Sequence, residues 1–447
     1  ERLLIAGRAW WFYLGKALLP LNLAFVYPRW QLDSTSMMQW GYVLAAGLLG
    51  FLLWKGRHII GRGPLAAVAF FTVTVSPALG FFNVYPFRFS FVADHFQYLA
   101  SIGTLILVAG LATGLASRWG MSANLRRGTS GVVLALLALL TWRQAQAYTD
   151  RETLWKDTLN KNPSAWIAHN NLGVLYKEAG NLTDALTSFQ TAHSLQPTAP
   201  EPMISLGTVL ALQGKYPESL QVYQRLIQEH PRNAEGHASV AHVHFSRGEF
   251  PQAIAAYQQA ILLNPYSAIA HSGLGKVYYS TGDFEQSIQA CLQAISLNPF
   301  HVEALTNLGN SYIQMERLED AEQSLERAIA SHPRIADPYN SLGILYAMQK
   351  RFPEAIQVFN QALQANPDAP RPHQNLGRIF MTLKDYPAAI RHYRELLSRV
   401  PNPGPVHALL ARAYYENGDI PHAREQCQQA ERLGARVEPE LRRKLKP

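Results

Sequence analysis

The sequence predicts an all-α chain in which a polytopic helical membrane bundle is followed by an α-solenoid. Two observations predict this fold class. The N-terminal third contains four long apolar stretches that are almost free of charge. The remainder repeats every 34 residues, with a glycine or alanine at each step from Gly173 to Ala411 and a proline at each step from Pro163 to Pro401. Such a period is typical of stacked helical hairpins, which bury their apolar faces against their neighbours.

Residues 1–149 are predicted to form a multi-pass membrane domain. Four apolar stretches have about the length that a bilayer requires, namely residues 37–54, 64–83, 98–116 and 128–142. An earlier stretch, residues 3–19, differs because Arg8 and Lys16 lie among aromatic residues. That composition is typical of a helix that lies in the membrane interface or packs at the edge of a bundle. A tilted span is the alternative for this segment.

The distribution of charge predicts an orientation. Residues 1–150 contain 12 Lys and Arg against four Asp and Glu, whereas residues 151–447 contain 28 of each. The N-terminal cations concentrate in the loops 55–63 and 117–127, which the positive-inside rule assigns to the cytoplasm. The loops 21–39 and 84–97, and all residues after the fourth span, are then extracytoplasmic. We therefore expect periplasmic repeats on a bacterial inner membrane, or lumenal repeats on the endoplasmic reticulum if the chain is eukaryotic.

The period of 34 residues is that of the tetratricopeptide repeat, a pair of antiparallel helices. Eight repeats are predicted over residues 166–437, so the fold class is a membrane bundle followed by a tetratricopeptide-repeat α-solenoid. Residues 150–165 are predicted to be a half-repeat helix that caps repeat one, and residues 438–447 a basic, solvated C-terminal tail. Position 1 of each repeat falls at residues 166, 200, 234, 268, 302, 336, 370 and 404.

Position 6 is predicted to face the concave side of the array, and it is polar in most repeats. An asparagine side chain can hold a peptide backbone through one donor and one acceptor. A row of such residues predicts binding of an extended polypeptide, and a solvated polar face is the alternative. Cations at position 9 indicate an acidic or phosphorylated ligand. The predicted peptide-binding residues at these two positions are Asn171, Ser205, Ser239, Asn307, Asn310, Ser341, Asn375 and Arg378.

No catalytic residue, metal site or nucleic-acid partner is predicted. The common hydrolase, zinc-protease and phosphate-loop motifs are absent, and the balanced charge of the repeats argues against nucleic acid. Histidines recur at position 4 without a second ligand one turn away, so we expect imidazoles packed at repeat junctions. Cys291 and Cys427 lie four repeats apart, too far for a disulfide, and are expected in the core.

The loop 84–97 carries the residues that a lipid phosphate needs. Ionisable groups at a membrane surface are costly unless they pair or bind something, and an arginine with a histidine suits a phosphate. We therefore expect a phosphate site at Arg88, Asp94, His95 and Tyr98. A structural ion pair between Arg88 and Asp94 is the alternative.

Three segments carry a resemblance to a known family. Residues 92–103, VADHFQYLASIG, resemble the A-D-R-Y-L-Y-L-P-S-x-G signature of the transmembrane-and-tetratricopeptide-repeat proteins, with His95 and Ala100 in place of its Arg and Pro. Residues 13–16, YLGK, with Pro20 and Tyr27-Pro28, look like that family's Y-L-x-K…P…Y-P segment. The junction at residues 154–173 is similar to that of its bacterial members. The resemblance spans the chain in order, from membrane bundle to repeats.

This resemblance implies the C-terminal part of a glycosyltransferase-like membrane protein of the O-mannosylation type. The donor would be a polyprenyl-phosphate-linked sugar near Arg88 and His95, the acceptor a polypeptide held by the repeats, and no further cofactor is expected. The chain begins with Glu1 and not Met, so we expect a fragment whose catalytic acidic loop lies upstream; whether the chain is an enzyme stays open. The alternative function is a non-catalytic, membrane-anchored scaffold for protein–protein interactions.

Overall fold

The computed structural model describes residues 1–18, 23–28, 30–79 and 98–445, and all regular elements in these ranges are helices. The chain forms two compact units, Glu1–Val222 and Tyr223–Pro447. The first unit begins with five apolar helices. They are α1 (Arg2–Leu18), α2 (Met37–Gly56), α3 (Gly63–Val75) with a 3₁₀ turn at Ser76–Ala78, α4 (Tyr98–Arg118) and α5 (Ala123–Gln146).

Two of these helices, α2 with 20 residues and α5 with 24, are long and apolar enough to cross a membrane. The expected second span is shorter than predicted, because α3 ends at Val75 after 13 residues. Pro77 explains this end, since it lacks the backbone N–H that would donate the next helical hydrogen bond. The described apolar part of α4 is Thr104–Arg118, which is also short of a span. In the described ranges, the polytopic bundle of four spans is therefore reduced to two candidate spans.

Helix α1 is packed against its neighbours along one face. Leu4, Ala9 and Tyr13 are at most 1% exposed, and the indole nitrogen of Trp10 donates a hydrogen bond to the Thr72 hydroxyl on α3 at 3.0 Å. This burial favours a packed helix over one that lies in the membrane interface, because an interfacial helix would leave its apolar face to lipid.

The loop after α1 is docked on the start of the repeats. Helix α6 (Arg151–Lys161) carries Lys161, whose ammonium donates to the carbonyl of Leu23 at 2.6 Å. Asn162 donates to the carbonyl of Val26 at 3.3 Å, and Phe25 packs edge-on against Trp155 with ring centroids 5.4 Å apart. Residues 23–28 and the predicted capping helix therefore form one packed element.

Eight helical hairpins follow α6. The first helices of the hairpins are α7 (Trp166–Glu178), α9 (Pro200–Leu212), α11 (Ala234–Ser246), α13 (Ala268–Thr281), α15 (Val302–Gln314), α17 (Ala336–Met348), α19 (Pro370–Thr382) and α21 (Gly404–Glu416). The second helices are α8 (Leu182–Leu195), α10 (Tyr216–Glu229), α12 (Phe250–Leu263), α14 (Phe284–Leu297), α16 (Leu318–Ser331), α18 (Phe352–Ala365), α20 (Tyr386–Leu397) and α22 (Ile420–Arg432).

The glycine at position 8 lies against the side chain at position 24, as the sequence predicts for a close helix pair. A Cβ added to Gly343 would come within 2.7 Å of the Phe359 ring, and one added to Gly377 within 2.3 Å of the Tyr393 ring. Such distances force the neighbour to move. The spacing of these glycines is therefore fixed by the position-24 side chain that packs against each of them.

Three turns between paired helices lack the expected glycine. The turns at Gly180, Gly214, Gly248, Gly282 and Gly418 have positive φ, which glycine adopts without cost. Glu316, Lys350 and Lys384 occupy the equivalent turns of repeats five, six and seven with φ of 59°, 61° and 62°. A side chain in this left-handed region costs about 1–2 kcal/mol, so these three turns are strained.

The C-terminal segment corrects the prediction of a solvated tail. Residues 439–445 form a last helix, α23 (Pro439–Leu445). Leu441 and Leu445 are each 4% exposed and pack against Ala423 and Cys427 of α22. The basic side chains of the segment stay at the surface, where Arg442 pairs with Glu431 at 2.6 Å. An amphipathic seven-residue helix thus covers the apolar face that repeat eight would otherwise expose.

Candidate functional site

Three of the predicted peptide-binding residues come together in one groove in the second unit. Asn307, Asn310 and Ser341 line a cavity of about 330 Å³ between α15 and α17, which we call the central groove. Their side chains make no hydrogen bond to any residue in the described part of the chain. Two amides and a hydroxyl are therefore available to a ligand at this place. The other polar and charged lining residues are Lys276, Glu303, Thr306, Asp337 and Arg371.

The charges of the central groove have both signs and are not paired with one another. Within the described ranges, no ion pair involves Lys276, Glu303, Asp337 or Arg371, although the Lys276 ammonium lies 5.2 Å from the centre of the Phe245 ring. An unpaired charge in a concave site can form a new ion pair with a ligand, whereas a charge that is already in a salt bridge gains less from the ligand. The groove is thus suited to a ligand that carries polar groups and charges of both signs.

Asn375 plays a different part. Its amide donates a hydrogen bond to the side-chain oxygen of Asn340 at 3.0 Å, and Asn340 is only 5% exposed. This bond joins α17 to α19, so part of the hydrogen-bonding capacity of Asn375 is used between repeats six and seven. A position that looks equivalent in sequence therefore has a structural role in one repeat and an open amide in another.

Arg378 lies in a second cavity of about 450 Å³, which we call the C-terminal cavity. Arg378, Lys384 and Arg412 line it together with Met381, Tyr386, Tyr393, Leu409 and Glu416. Arg412 is paired with Glu416 at 2.9 Å and also with Glu438. Burial raises the pKa of Tyr393 to about 12, against the opposing effect of the Arg378 charge. The phenol is therefore a hydrogen-bond donor at neutral pH.

The remaining predicted residues fall elsewhere. Asn171, Ser205 and Ser239 are half-buried on α7, α9 and α11. Arg88, Asp94 and His95 lie outside the described residues. Tyr98 is the first residue of α4. The expected phosphate site of the outer loop thus stays a prediction.

The position-4 histidines contact protein groups, His271 at a repeat junction and His373 and His407 within their own repeats. The ring of His271 lies 3.1 Å from the carbonyl oxygen of Pro265, and His407 lies 2.7 Å from the Gln426 side-chain oxygen. His373 and His392 contact each other through their Nδ1 atoms at 3.2 Å. No group of three possible metal ligands occurs in the ranges that the structure describes.

Sequence reasoning missed two sets of lining residues. Glu303, Asp337 and Arg371 all occupy position 2, where a recurring charge was the available signal. Lys384 and Tyr393 lie in the turn and the second helix of repeat seven, and the closing of that hairpin brings them beside Arg378. A pattern confined to the first helix of each repeat does not reveal them.

Comparison with known families agrees with this architecture. The family described as cilia and flagella-associated protein 70 C-terminal domain matches residues 228–444. Two families described as tetratricopeptide repeat match residues 176–243 and 135–200. No curated protein matches the chain. The helical hairpins are therefore tetratricopeptide-like repeats, the class of element that mediates protein–protein interaction.

Several solved structures are similar to the chain. A tetratricopeptide repeat protein from Parabacteroides merdae ATCC 43184 is 19% identical, and the match covers 56% of this chain and 98% of that one, with a TM-score of 0.45. Pseudomonas aeruginosa pilF is 20% identical, with coverages of 45% and 91% and a TM-score of 0.40. YrrB, described as a tetratricopeptide repeat protein with an unusual peptide-binding site, is 20% identical, with coverages of 43% and 97% and a TM-score of 0.32.

Proposed function

We propose that the repeats bind an extended polypeptide in the central groove, and that the apolar helices hold this groove at a membrane. The observation that carries the proposal is the convergence of Asn307, Asn310 and Ser341, none of which has a partner among the described residues. Amide and hydroxyl groups that face a groove can exchange donor and acceptor bonds with a peptide backbone. Tetratricopeptide repeats bind peptides or proteins, so a polypeptide is the class of ligand that these repeats are expected to take.

The charges of the groove support a charged polypeptide as the ligand. Glu303 and Asp337 would meet basic side chains, and Lys276 and Arg371 acidic ones. Complementary charge raises association rates and selects the register of the bound chain. The partner is thus a polypeptide with mixed charge.

Helices α2 and α5 support the proposed membrane attachment. Large apolar side chains of both helices are exposed, among them Leu44, Phe51, Val132 and Leu139 at 52–70%, and lipid is the partner that such surfaces need. The docking of residues 23–28 on α6 supports an arrangement in which the outer loop and the repeats share one side of the membrane. We place that side outside the cytoplasm because the basic loops lie at the opposite helix ends.

Both functions that the sequence indicates use this groove. A scaffold would use it to hold a partner, and a sugar transferase would use it to hold the acceptor. Sugar transfer itself rests on the family resemblance and on the residues of loop 84–97. The proposal therefore concerns polypeptide binding and membrane attachment.

The test is peptide binding by the full chain in detergent. A phage-displayed random peptide library is selected against the wild-type chain, and the selected peptide is measured with the double variant Asn307→Ala and Asn310→Ala by fluorescence anisotropy. Each lost hydrogen bond contributes about 1 kcal/mol, so we expect the affinity to fall roughly 30-fold.

The matched control is Asn360→Ala, which removes an exposed asparagine from the second helix α18. It should bind the peptide as the wild type does. Equal binding by the double variant and the wild type would show that the central groove is not the peptide site.

A further inference from the structure

The C-terminal cavity has hydrogen-bond donors that lack protein acceptors. Arg378 and Lys384 are exposed and have no ion-pair partner in the described part of the chain. The acidic residue of the cavity, Glu416, is already paired with Arg412. Two cations therefore face a cavity in which no free carboxylate opposes them.

Tyr393 adds a third donor. Its side chain is 2% exposed and lines the cavity, and its hydroxyl has no hydrogen-bond partner among the residues that the structure describes. A ligand oxygen in the cavity can therefore accept a hydrogen bond from this hydroxyl.

Part of the lining of the cavity is apolar. Met381, Leu409 and the ring of Tyr386 line it beside the three donors. A volume of about 450 Å³ admits a whole side chain or a small aromatic molecule. The cavity thus suits an anion on an apolar stem, since the anion would contact the three donors and the stem would contact the apolar side chains.

The position of Lys384 depends on a strained turn. Its φ of 62° is left-handed, where five of the eight repeats use glycine. Lys350 has φ of 61° in the equivalent turn of the preceding repeat but does not line the cavity. The two lysines therefore have the same charge and the same backbone conformation, but only Lys384 lines the cavity.

We propose that the C-terminal cavity binds an oxyanion carried by an apolar stem, through Arg378, Lys384 and the Tyr393 hydroxyl. The oxyanion is a carboxylate or a phosphate monoester on a side chain of a bound polypeptide. The polypeptide part of this statement rests on the proposed function; the anion site itself does not.

The test uses small probes and the full chain in detergent, with calorimetry as the readout. Phenyl phosphate and benzoate represent the two sources of the oxyanion, and phenol is the neutral comparator. We expect one or both anions to bind and phenol not to bind. Arg378→Gln and Lys384→Gly should each weaken binding at least fivefold, and Tyr393→Phe by about the same factor.

Lys350→Gly is the matched control, because it removes the same charge and the same strained φ outside the cavity. It should leave anion binding unchanged. Since both glycine variants relieve strain, their melting temperatures should equal or exceed that of the wild type, so that lost binding does not reflect unfolding.

Three results would overturn the proposal. The first is that the wild type, Arg378→Gln and Lys384→Gly bind the anions equally, and the second is that phenol binds as strongly as the anions. The third is that the chain attaches to phosphatidylglycerol vesicles in an Arg378-dependent way but binds neither soluble anion. A failure of the peptide test at Asn307 and Asn310 would leave the anion result standing, so the two proposals are tested separately.

Discussion

Residues at one register position have diverged in what they contact. Asn307 and Asn375 both occupy position 6, yet the first faces the central groove and the second donates to Asn340. The difference arises from the preceding repeat, since position 5 is Asn340 in the repeat before Asn375 and Ser272 in the repeat before Asn307. Whether an asparagine at position 6 is available to a ligand therefore depends on the residues of the preceding repeat.

The paired histidines of repeat seven make acid stability a residue-scale prediction. Burial and the neighbouring His373 lower the pKa of His392 to about 4 from its ordinary 6.5, and burial also lowers the pKa of His373. The folded state therefore binds fewer protons than the unfolded state in this range, so stability is present above pH 6.5 and is lost as the pH falls towards 4.

We expect His392→Gln to reduce this loss, because glutamine does not titrate and can still hydrogen-bond to His373. Urea unfolding between pH 7.5 and 4.5 measures the slope. His332→Gln, at an exposed histidine, is the control and should keep the wild-type slope. Parallel slopes for His392→Gln and the wild type would contradict the assignment.

At the scale of elements, short segments close apolar faces that longer helices leave open. Helix α6 and residues 23–28 cover the start of repeat one through Val26, Ala165 and Ala168, and α23 covers the end of repeat eight. Terminal repeats of a stacked array lack a neighbour on one side and need such covers. The basic composition of the last residues hides this role, since only Leu441 and Leu445 face inward.

Deleting residues 437–447 tests the cover at the C-terminus. The loss of two buried leucines removes about 4 kcal/mol of stabilisation by apolar burial. The apolar face of repeat eight should therefore become exposed to solvent. Burial raises the pKa of the Cys427 thiol, and exposure of Cys427 should make it react with a maleimide much faster than in the full chain. Mass spectrometry of the labelled peptides measures the rate.

Cys291 is the internal reference for this deletion. It is fully buried in repeat four, and burial raises its thiol pKa to about 12. Its labelling should not change. Slow labelling of Cys427 in the shortened chain would show that α23 does not cover repeat eight.

At the scale of the molecule, the apolar helices and the repeats are joined through the loop after α1. The hydrogen bonds of Lys161 and Asn162 to Leu23 and Val26 bring that loop and α6 together. The basic residues Lys55, Arg57 and Arg62 lie at the far end of α2. One side of a membrane should therefore hold the loop and the repeats, and the other side the basic turn.

Single cysteines test this topology, since both native thiols are buried. In intact cells that express the chain, Ser34→Cys and Asn360→Cys should react with a membrane-impermeant maleimide. His58→Cys should react only after permeabilisation. All three positions are exposed, so labelling depends on the side of the membrane. If only His58→Cys were labelled in intact cells, the orientation would be the reverse of the proposed one. Equal labelling of all three would contradict the proposal that a membrane separates these positions.

The sequence alone determined the repeats, because a small residue at position 8, glycine or alanine, must recur wherever the two helices of a hairpin pack closely. The helix before repeat one was also evident from the sequence. The apolar N-terminal region was less well predicted, since composition does not reveal where α3 ends or decide between an interfacial and a packed α1.

Tertiary structure decided which predicted residues share a site. Asn307, Asn310 and Ser341 meet in one groove, whereas Arg378 belongs to another cavity with Lys384 and Tyr393. A periodic pattern gives every repeat the same face, but each cavity is lined by residues of neighbouring repeats, the C-terminal cavity by repeats seven and eight and the central groove by repeats four to seven. The chemistry of a site therefore depends on several neighbouring repeats, and only packing of the folded chain determines which side chains they bring together.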